Sequence, residues 1–212
     1  MARTLDLFEA ADRREAHAVL AGEGSAERLA NPGRAIDDTS LGLDADGWRR
    51  LADGVTRAAE LARDRGFAPS FHSHAGSYVE APWEIERLLE MTDVGLVLDT
   101  GHLALGGGDP KQALADWRSR IDHVHVKDVR TEVLRGVIAD RADMPEAWRR
   151  GIFCELGTGD VDLPSFFAAL DESEYSGWLV IEQDWVPGPE DDVTVAAEAQ
   201  ARNRRWLAEH IG

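Results

Sequence analysis

One cysteine, Cys154, is present among 212 residues. It cannot close an intramolecular disulfide or supply a thiolate zinc cluster, and nothing in the cysteine usage calls for an oxidising compartment. Long apolar runs are absent too. No stretch approaches the ~20 residues that cross a bilayer, and the N-terminus, Met1-Ala-Arg-Thr-Leu-Asp6, leads into charged residues without the apolar core of an export signal. Basic residues are scarce, 23 against 40 acidic. The resulting formal net charge of −17 repels nucleic-acid phosphates and anionic lipid surfaces. These absences predict a cytoplasmic chain that binds neither nucleic acid nor membrane.

What is present is an ordinary globular mixture, 43% hydrophobic and 30% charged, of a length suited to a single domain over residues 1–212. Short apolar runs alternate with longer amphipathic stretches. The runs are Ala16–Ala21, Ala68–His72, Val94–Leu98, Ile121–Val126 and Gly177–Ile181, and each reads as a strand. Helices are expected over Gly47–Arg65, Pro82–Met91, Pro110–Arg118, Leu163–Leu170 and Val193–His210. Strands separated by helices imply parallel pairing through right-handed crossovers, in an open doubly wound sheet or a closed barrel. Gly106-Gly-Gly108 lacks the spacing of a dinucleotide-binding turn and reads as a flexible loop.

The polar residues favour the barrel. Four consecutive strands each carry a His, Asp or Glu near the C-terminal end, where a (β/α)8 barrel gathers its active site. In Phe71-His-Ser-His-Ala-Gly76 the alternation puts His72 and His74 on one side. In Leu98-Asp-Thr-Gly-His102 a strand stops at a carboxylate. The alternative for Asp99 is a helix cap, a reading the Gly and His that follow disfavour. In Asp122-His-Val-His-Val-Lys-Asp128, His123, His125 and Lys127 share a face. Glu182 ends the last strand, where packing alone would not select a carboxylate. His72, Asp99, His125 and Glu182 therefore form a candidate divalent-metal site. Mixed imidazole and carboxylate ligands suit Mn²⁺, Co²⁺, Fe²⁺ or Zn²⁺, with Mg²⁺ allowed by the oxygen donors.

In its Asp-Thr-Gly-His, His-Val-His-x-Lys-Asp and Gly-Trp-Leu-Val-Ile-Glu segments the sequence resembles the xylose-isomerase-like barrel superfamily of sugar phosphate isomerases and epimerases. The His-x-His-x-Gly segment at His72, the Lys-Asp-Val-Arg run at Lys127 and the insert before Gly157-Thr-Gly-Asp-Val-Asp162 are most similar to the inosose dehydratase branch, which acts on 2-keto-myo-inositol. The resemblance implies metal ligation by Asp99, His125 and Glu182, with His72 where many epimerases of the superfamily have a glutamate. It implies proton transfer alpha to a carbonyl of a sugar or polyol, in an isomerase, epimerase or dehydratase. His72 and Glu182 would be the acid and base, and Lys127 would polarise the carbonyl. His74, His102, Lys127 and Trp185 would bind substrate. Glu80, before the helix at Pro82, reads as a solvated residue more readily than as a support for an imidazole.

A closed barrel needs eight strands and five are found. Three βα units are thus expected to be missing on the N-terminal side, with a helix over Leu5–Glu15 feeding the first strand. The exposed sheet edges of such a partial barrel predict a homo-oligomer. Two other readings stand beside the isomerase or lyase: a metal phosphodiesterase like endonuclease IV, which the scarcity of basic residues disfavours, and an inactive partial barrel.

Overall fold

The computed structural model describes residues 17–22, 24–33, 39–188 and 192–211. Five parallel strands, β1 (His17–Ala21), β2 (Ala68–His72), β3 (Gly95–Asp99), β4 (Ile121–Val126) and β7 (Trp178–Ile181), lie side by side in the order β1-β2-β3-β4-β7. Two short strands, β5 (Asp128–Val129) and β6 (Phe153–Cys154), pair antiparallel beside the main sheet. The nine helices among the described residues are α1 (Ala26–Leu29), α2 (Ala45–Arg63), α3 (Pro82–Met91), α4 (Thr100–Leu105), α5 (Pro110–Trp117), α6 (Thr131–Ala139), α7 (Met144–Arg149), α8 (Leu163–Glu172) and α9 (Val193–His210). This is the parallel half-barrel that the strand pattern predicts.

Local chemistry sets the helix starts. Asp44, Asp109, Asp143, Asp162 and Asp192 each cap a helix with a carboxylate that accepts backbone N–H groups of the first turn. Proline stands in the first turn of α3, α5, α7 and α8, where its missing N–H costs nothing. Because Asp44 is the cap, α2 begins two residues before the expected Gly47 and ends at Arg63. Its Trp48, Ala52, Val55, Ala59 and Ala62 form a buried stripe. Leu20, Phe71, Leu96, Leu98, Val124 and Val126 belong to the same core as Trp48, Val55 and Ala59, packed between sheet and helices.

The register decides what the other face carries. Opposed residues run Val19, Ser70, Gly95 in one row, Ala21, His72, Val97, His123, Trp178 in the next, and Asp99, His125, Val180 in the third. Side chains of such rows point to one side. The stagger climbs by strand ends, so His72, Asp99, His125 and Glu182 converge from four strands. Opposite Asp122 the β3–β4 register slips by one residue, because Leu96 pairs with Ile121 but Val97 with His123. Trp178 at 57% and Val19 at 45% exposure leave apolar surface open on this concave face.

Several expectations are corrected. α4 follows β3 without a loop and was not foreseen, since a six-residue stretch gives too little periodicity to read. The long insert contains β5, α6, α7 and β6. Gly106 is no flexible hinge: it closes α4 against the Glu80 carbonyl, and a Cβ there would collide with that backbone. The helix expected over Leu5–Glu15 lies outside the described residues. No helix among the described residues is long and apolar enough to cross a membrane.

One carboxylate anchors the insert. Asp128 is buried and accepts N–H groups from Val129 at 2.9 Å, Gly157 at 2.9 Å, Gly159 at 2.9 Å and Val161 at 3.1 Å. Removing it deprives four N–H groups of a charged acceptor, one of them buried and three open or partly open to solvent, at about 1 kcal/mol each. Asp128→Ala should therefore lose roughly 3 kcal/mol or more of unfolding free energy in urea titrations. A loss below about 1 kcal/mol would mean that the 157–161 segment is held by something else.

Candidate metal centre

Asp99 is placed by two roles at once. Its Oδ1 caps α4 by accepting the His102 N–H at 2.8 Å, and its Oδ2 lies 3.3 Å from His72 Nε2 and 3.8 Å from His125 Nδ1. The cap reading that the sequence disfavoured is thus correct, and it coexists with the site reading because a carboxylate has two oxygens. Glu182 Oε2 comes within 3.2 Å of His125 Nδ1. That nitrogen is buried and makes no hydrogen bond. An orphaned ring nitrogen next to two carboxylate oxygens and a second imidazole is what a metal ligand set looks like before an ion joins it. One ligand atom from each of His72, Asp99, His125 and Glu182 lies within 4.8 Å of the others. The four residues fit a divalent ion by donor type and by spacing.

A second group stands beside the first. His74, His102 and Asp184 also offer ligand atoms within 4.8 Å of one another. His74 donates Nδ1–H to the Ala75 carbonyl at 2.9 Å, which leaves its Nε2 unprotonated in the neutral ring. The Ala75 N–H lies 3.3 Å from His102 Nδ1 and the Lys127 ammonium 3.0 Å from its Nε2, so a donor faces each ring nitrogen. Asp184 is the residue that sequence reasoning missed. It lies two positions past Glu182, beyond the end of β7, and only that spacing could have pointed to it.

Lys127 joins the two groups. Its Nζ is 2.9 Å from Glu182 Oε2, 3.2 Å from Asp184 Oδ2, 3.4 Å from Asp99 Oδ2 and 3.0 Å from His102 Nε2. Thr100 fixes its backbone by donating its hydroxyl to the Lys127 carbonyl at 2.6 Å and accepting the Lys127 N–H at 2.9 Å. Gly101 has no Cβ, which leaves room for the lysine stem.

The electrostatics follow. Burial alone would raise Asp99, but His102, the His72 hydrogen bond and Lys127 outweigh it and hold the carboxyl well below its usual range. Glu182 is drawn down to about 2 by the His125 imidazole beside it and, against the effect of burial, by Lys127. Burial works against the Lys127 ammonium, yet Asp99, Asp184 and Glu182 together raise it. Desolvation lowers both His74 and, further, His102, which keeps these rings neutral.

Two expected residues sit elsewhere. Trp185 lines a groove with Glu155, Gln183 and the α9 residues Val195, Ala196 and Ala199, apart from both ligand groups. Glu80 is not solvated. It is 5% exposed, 3.6 Å from the buried Arg28, which also pairs with Glu84. One guanidinium thus faces two carboxylates behind the loop that carries His74.

A family model described as a xylose isomerase-like TIM barrel matches residues 1–210. An inosose dehydratase of Geobacillus kaustophilus is 38% identical over 174 residues, which cover 80% of this chain and 56% of that protein. One from Clostridium beijerinckii is 36% identical over 168 residues, 78% of this chain and 55% of that protein. The chain spans about half the length of these curated relatives. Among solved structures, the IolI protein with a binding zinc atom superposes with a TM-score of 0.64 at 18% identity, covering 92% of this chain and 63% of that one. A D-allulose 3-epimerase from Methylomonas sp. in complex with D-allulose gives 0.58 at 17%, covering 80% and 57%. These likenesses are of fold.

Burial dominates at Glu80 and pushes its carboxyl from an ordinary 4.5 up to about 7. A raised acid favours the folded state while protonated and costs stability as pH climbs from the unfolded value through the folded one. Wild type should therefore lose about 2 kcal/mol relative to Glu80→Gln between pH 5.5 and pH 8. Urea unfolding at the two pH values measures this, and parallel stabilities would show that Glu80 titrates normally.

Proposed function

Because this chain belongs to the xylose isomerase-like TIM-barrel family, we propose that it serves a metal-dependent lyase or epimerase, inosose dehydratase-like, that moves a proton alpha to the carbonyl of a sugar or polyol. The observation that carries the reading is the set His72, Asp99, His125 and Glu182, whose candidate ligand atoms lie within 4.8 Å of one another. A divalent ion such as Mn²⁺, Co²⁺, Mg²⁺ or Zn²⁺ held there would supply Lewis-acid polarisation of a substrate oxygen. The inosose dehydratases among the relatives and the zinc-binding IolI neighbour support the same reading.

The chain's own groups divide the remaining work. Lys127 Nζ lies 3.0 Å from His102 Nε2, and both nitrogens face Asp184 Oδ2, at 3.2 and 3.7 Å. A substrate oxygen that gains negative charge as the proton leaves would be held by the Lys127 ammonium. Glu182, with its carboxyl near 2, is a weak base at neutral pH and acts chiefly as a ligand. The base is then an imidazole. His72 is tied to Asp99, whereas His74 Nε2 is free and unprotonated, and a dehydratase can use its conjugate acid to protonate the departing hydroxyl. Trp185 is kept as a substrate contact only for a ligand long enough to reach the α9 groove.

Asp99→Ala and Glu182→Ala should each remove bound metal and turnover of keto-inositols and ketoses together, read by elemental analysis and by assay with added Mn²⁺ or Co²⁺. Stoichiometric metal in either variant sinks the ligand assignment. Cleavage of abasic-site DNA by the purified protein would favour the phosphodiesterase reading instead.

The exposed Val19 and Trp178 on the concave face, and the outer edges of β1 and β7, which no other strand pairs among the described residues, support association through these surfaces. Light scattering on the 212-residue chain should find an oligomer. A stable monomer would mean that the edges need no cover.

A further inference from the structure

Two ligand groups stand side by side, and a single ammonium lies between them. We propose that Lys127 is the resident cation of the second group, so that the centre takes one divalent ion rather than two, and that removing the amine turns His74, His102 and Asp184 into a second divalent-ion site. The inference rests on the metal reading of the first group.

Position is the first argument. Nζ lies 3.0 Å from His102 Nε2 and 3.2 Å from Asp184 Oδ2, two of the three atoms on which a second ion would depend. From the same point it reaches Glu182 Oε2 and Asp99 Oδ2, at 2.9 and 3.4 Å, on the first group. The ammonium cannot easily swing aside. Lys127 is 1% exposed, its backbone is clasped by Thr100, and its Nζ lies 5.2 Å from the centre of the Phe153 ring.

Charge is the second argument. The two groups contribute three carboxylates, Asp99, Glu182 and Asp184. One divalent ion on the first group and the Lys127 ammonium balance them to neutrality, the state a largely buried centre favours. A second divalent ion beside the lysine would leave two uncompensated positive charges. Loss of the amine without a replacement would leave one uncompensated negative charge, which draws a cation in.

Access is the third. The Lys127 ammonium stands 3.0 Å from His102 Nε2 and the Ala75 N–H 3.3 Å from its Nδ1, so a donor faces each nitrogen of that ring. A second ion would have to displace the ammonium, whereas His125 Nδ1 in the first group makes no hydrogen bond. The two groups are alike in residue type, and this difference makes the first the open site.

The test titrates metal-free protein with Mn²⁺, reading stoichiometry by calorimetry and spin coupling by electron paramagnetic resonance. Wild type should bind one ion per chain with an uncoupled spectrum. Lys127→Ala should bind two, with a coupled spectrum, and Lys127→Arg, which keeps the cation, should bind one. Adding His102→Ala to Lys127→Ala should return the count to one. Two ions in wild type, or one in Lys127→Ala that circular dichroism shows to be folded, would overturn the proposal. If Lys127→Ala does not fold, Lys127→Met, which keeps the buried stem and removes the charge, decides: it should bind two ions, and a folded variant that binds one would overturn the proposal. No bound Mn²⁺ in wild type would instead fail the first group itself, so the two readings fail on different results.

Discussion

Matching of buried charge is the constraint on which the strand-end layer depends. Asp99 and Lys127 are each about 1% exposed, and neither could be withdrawn from water alone. They are withdrawn together, 3.4 Å apart, on neighbouring strand ends that parallel register brings level, with Asp99 opposite His125. The local backbone serves that pairing. α4 begins at Asp99, so one carboxylate oxygen closes the helix while the other faces the imidazoles. Thr100 and Gly101 then hold and make room for the lysine. A lysine and an aspartate that would each be costly become a fixed frame for the histidines.

The frame is not equally firm on both sides. His72, Asp99 and His125 come from inner strands of the sheet and are buried, whereas Glu182 and Asp184 follow the edge strand β7 and keep 36% and 42% of their side chains exposed. What steadies that edge is indirect. Asp128 gathers the 157–161 segment, the Leu156 N–H donates to Asn203 of α9 at 2.9 Å, and Asn203 reaches Gln183 at 3.1 Å, between the two carboxylates. The Glu182 N–H also returns to the Val126 carbonyl at 3.1 Å. Positioning of Glu182 therefore runs through an insert and a terminal helix that carry none of the four candidate ligands themselves.

How far the sequence anticipates this depends on the range of the interaction. His72, Asp99, His125 and Glu182 were legible because strand alternation and abrupt polar strand ends are local patterns, and a parallel sheet with one residue type at each end can bring them only to one place. Asp184 was not, because it lies beyond the strand and gains its role only from Lys127 and His102, 57 and 82 positions away in the chain. Glu80 was misread for the same reason. Next to Pro82 it resembles any solvated residue before a helix, and its burial comes from Arg28, on a helix whose four residues give no periodic signal. Gly106 looked like part of a flexible triplet, and its tight seat against Glu80 is invisible without the fold. Asp99 shows the remaining limit. Cap and ligand were weighed as alternatives, when two oxygens allow both.

The distribution of protons across the site finally bears on which chemistry it can perform. Ionised carboxylates at Asp99 and Glu182, a firmly protonated Lys127 and imidazoles at His74 and His102 that burial keeps neutral place donors and acceptors on distinct atoms. Phosphodiester cleavage would need cationic groups open to a polyanion, and the lysine here is already committed to three carboxylates while Arg130 donates to the Gly151 carbonyl. Carbon-acid chemistry needs the opposite: a neutral base beside an electrophilic oxygen site, with cations too buried to be lost to solvent. Under the proposed reading, His74 Nε2 would meet that need.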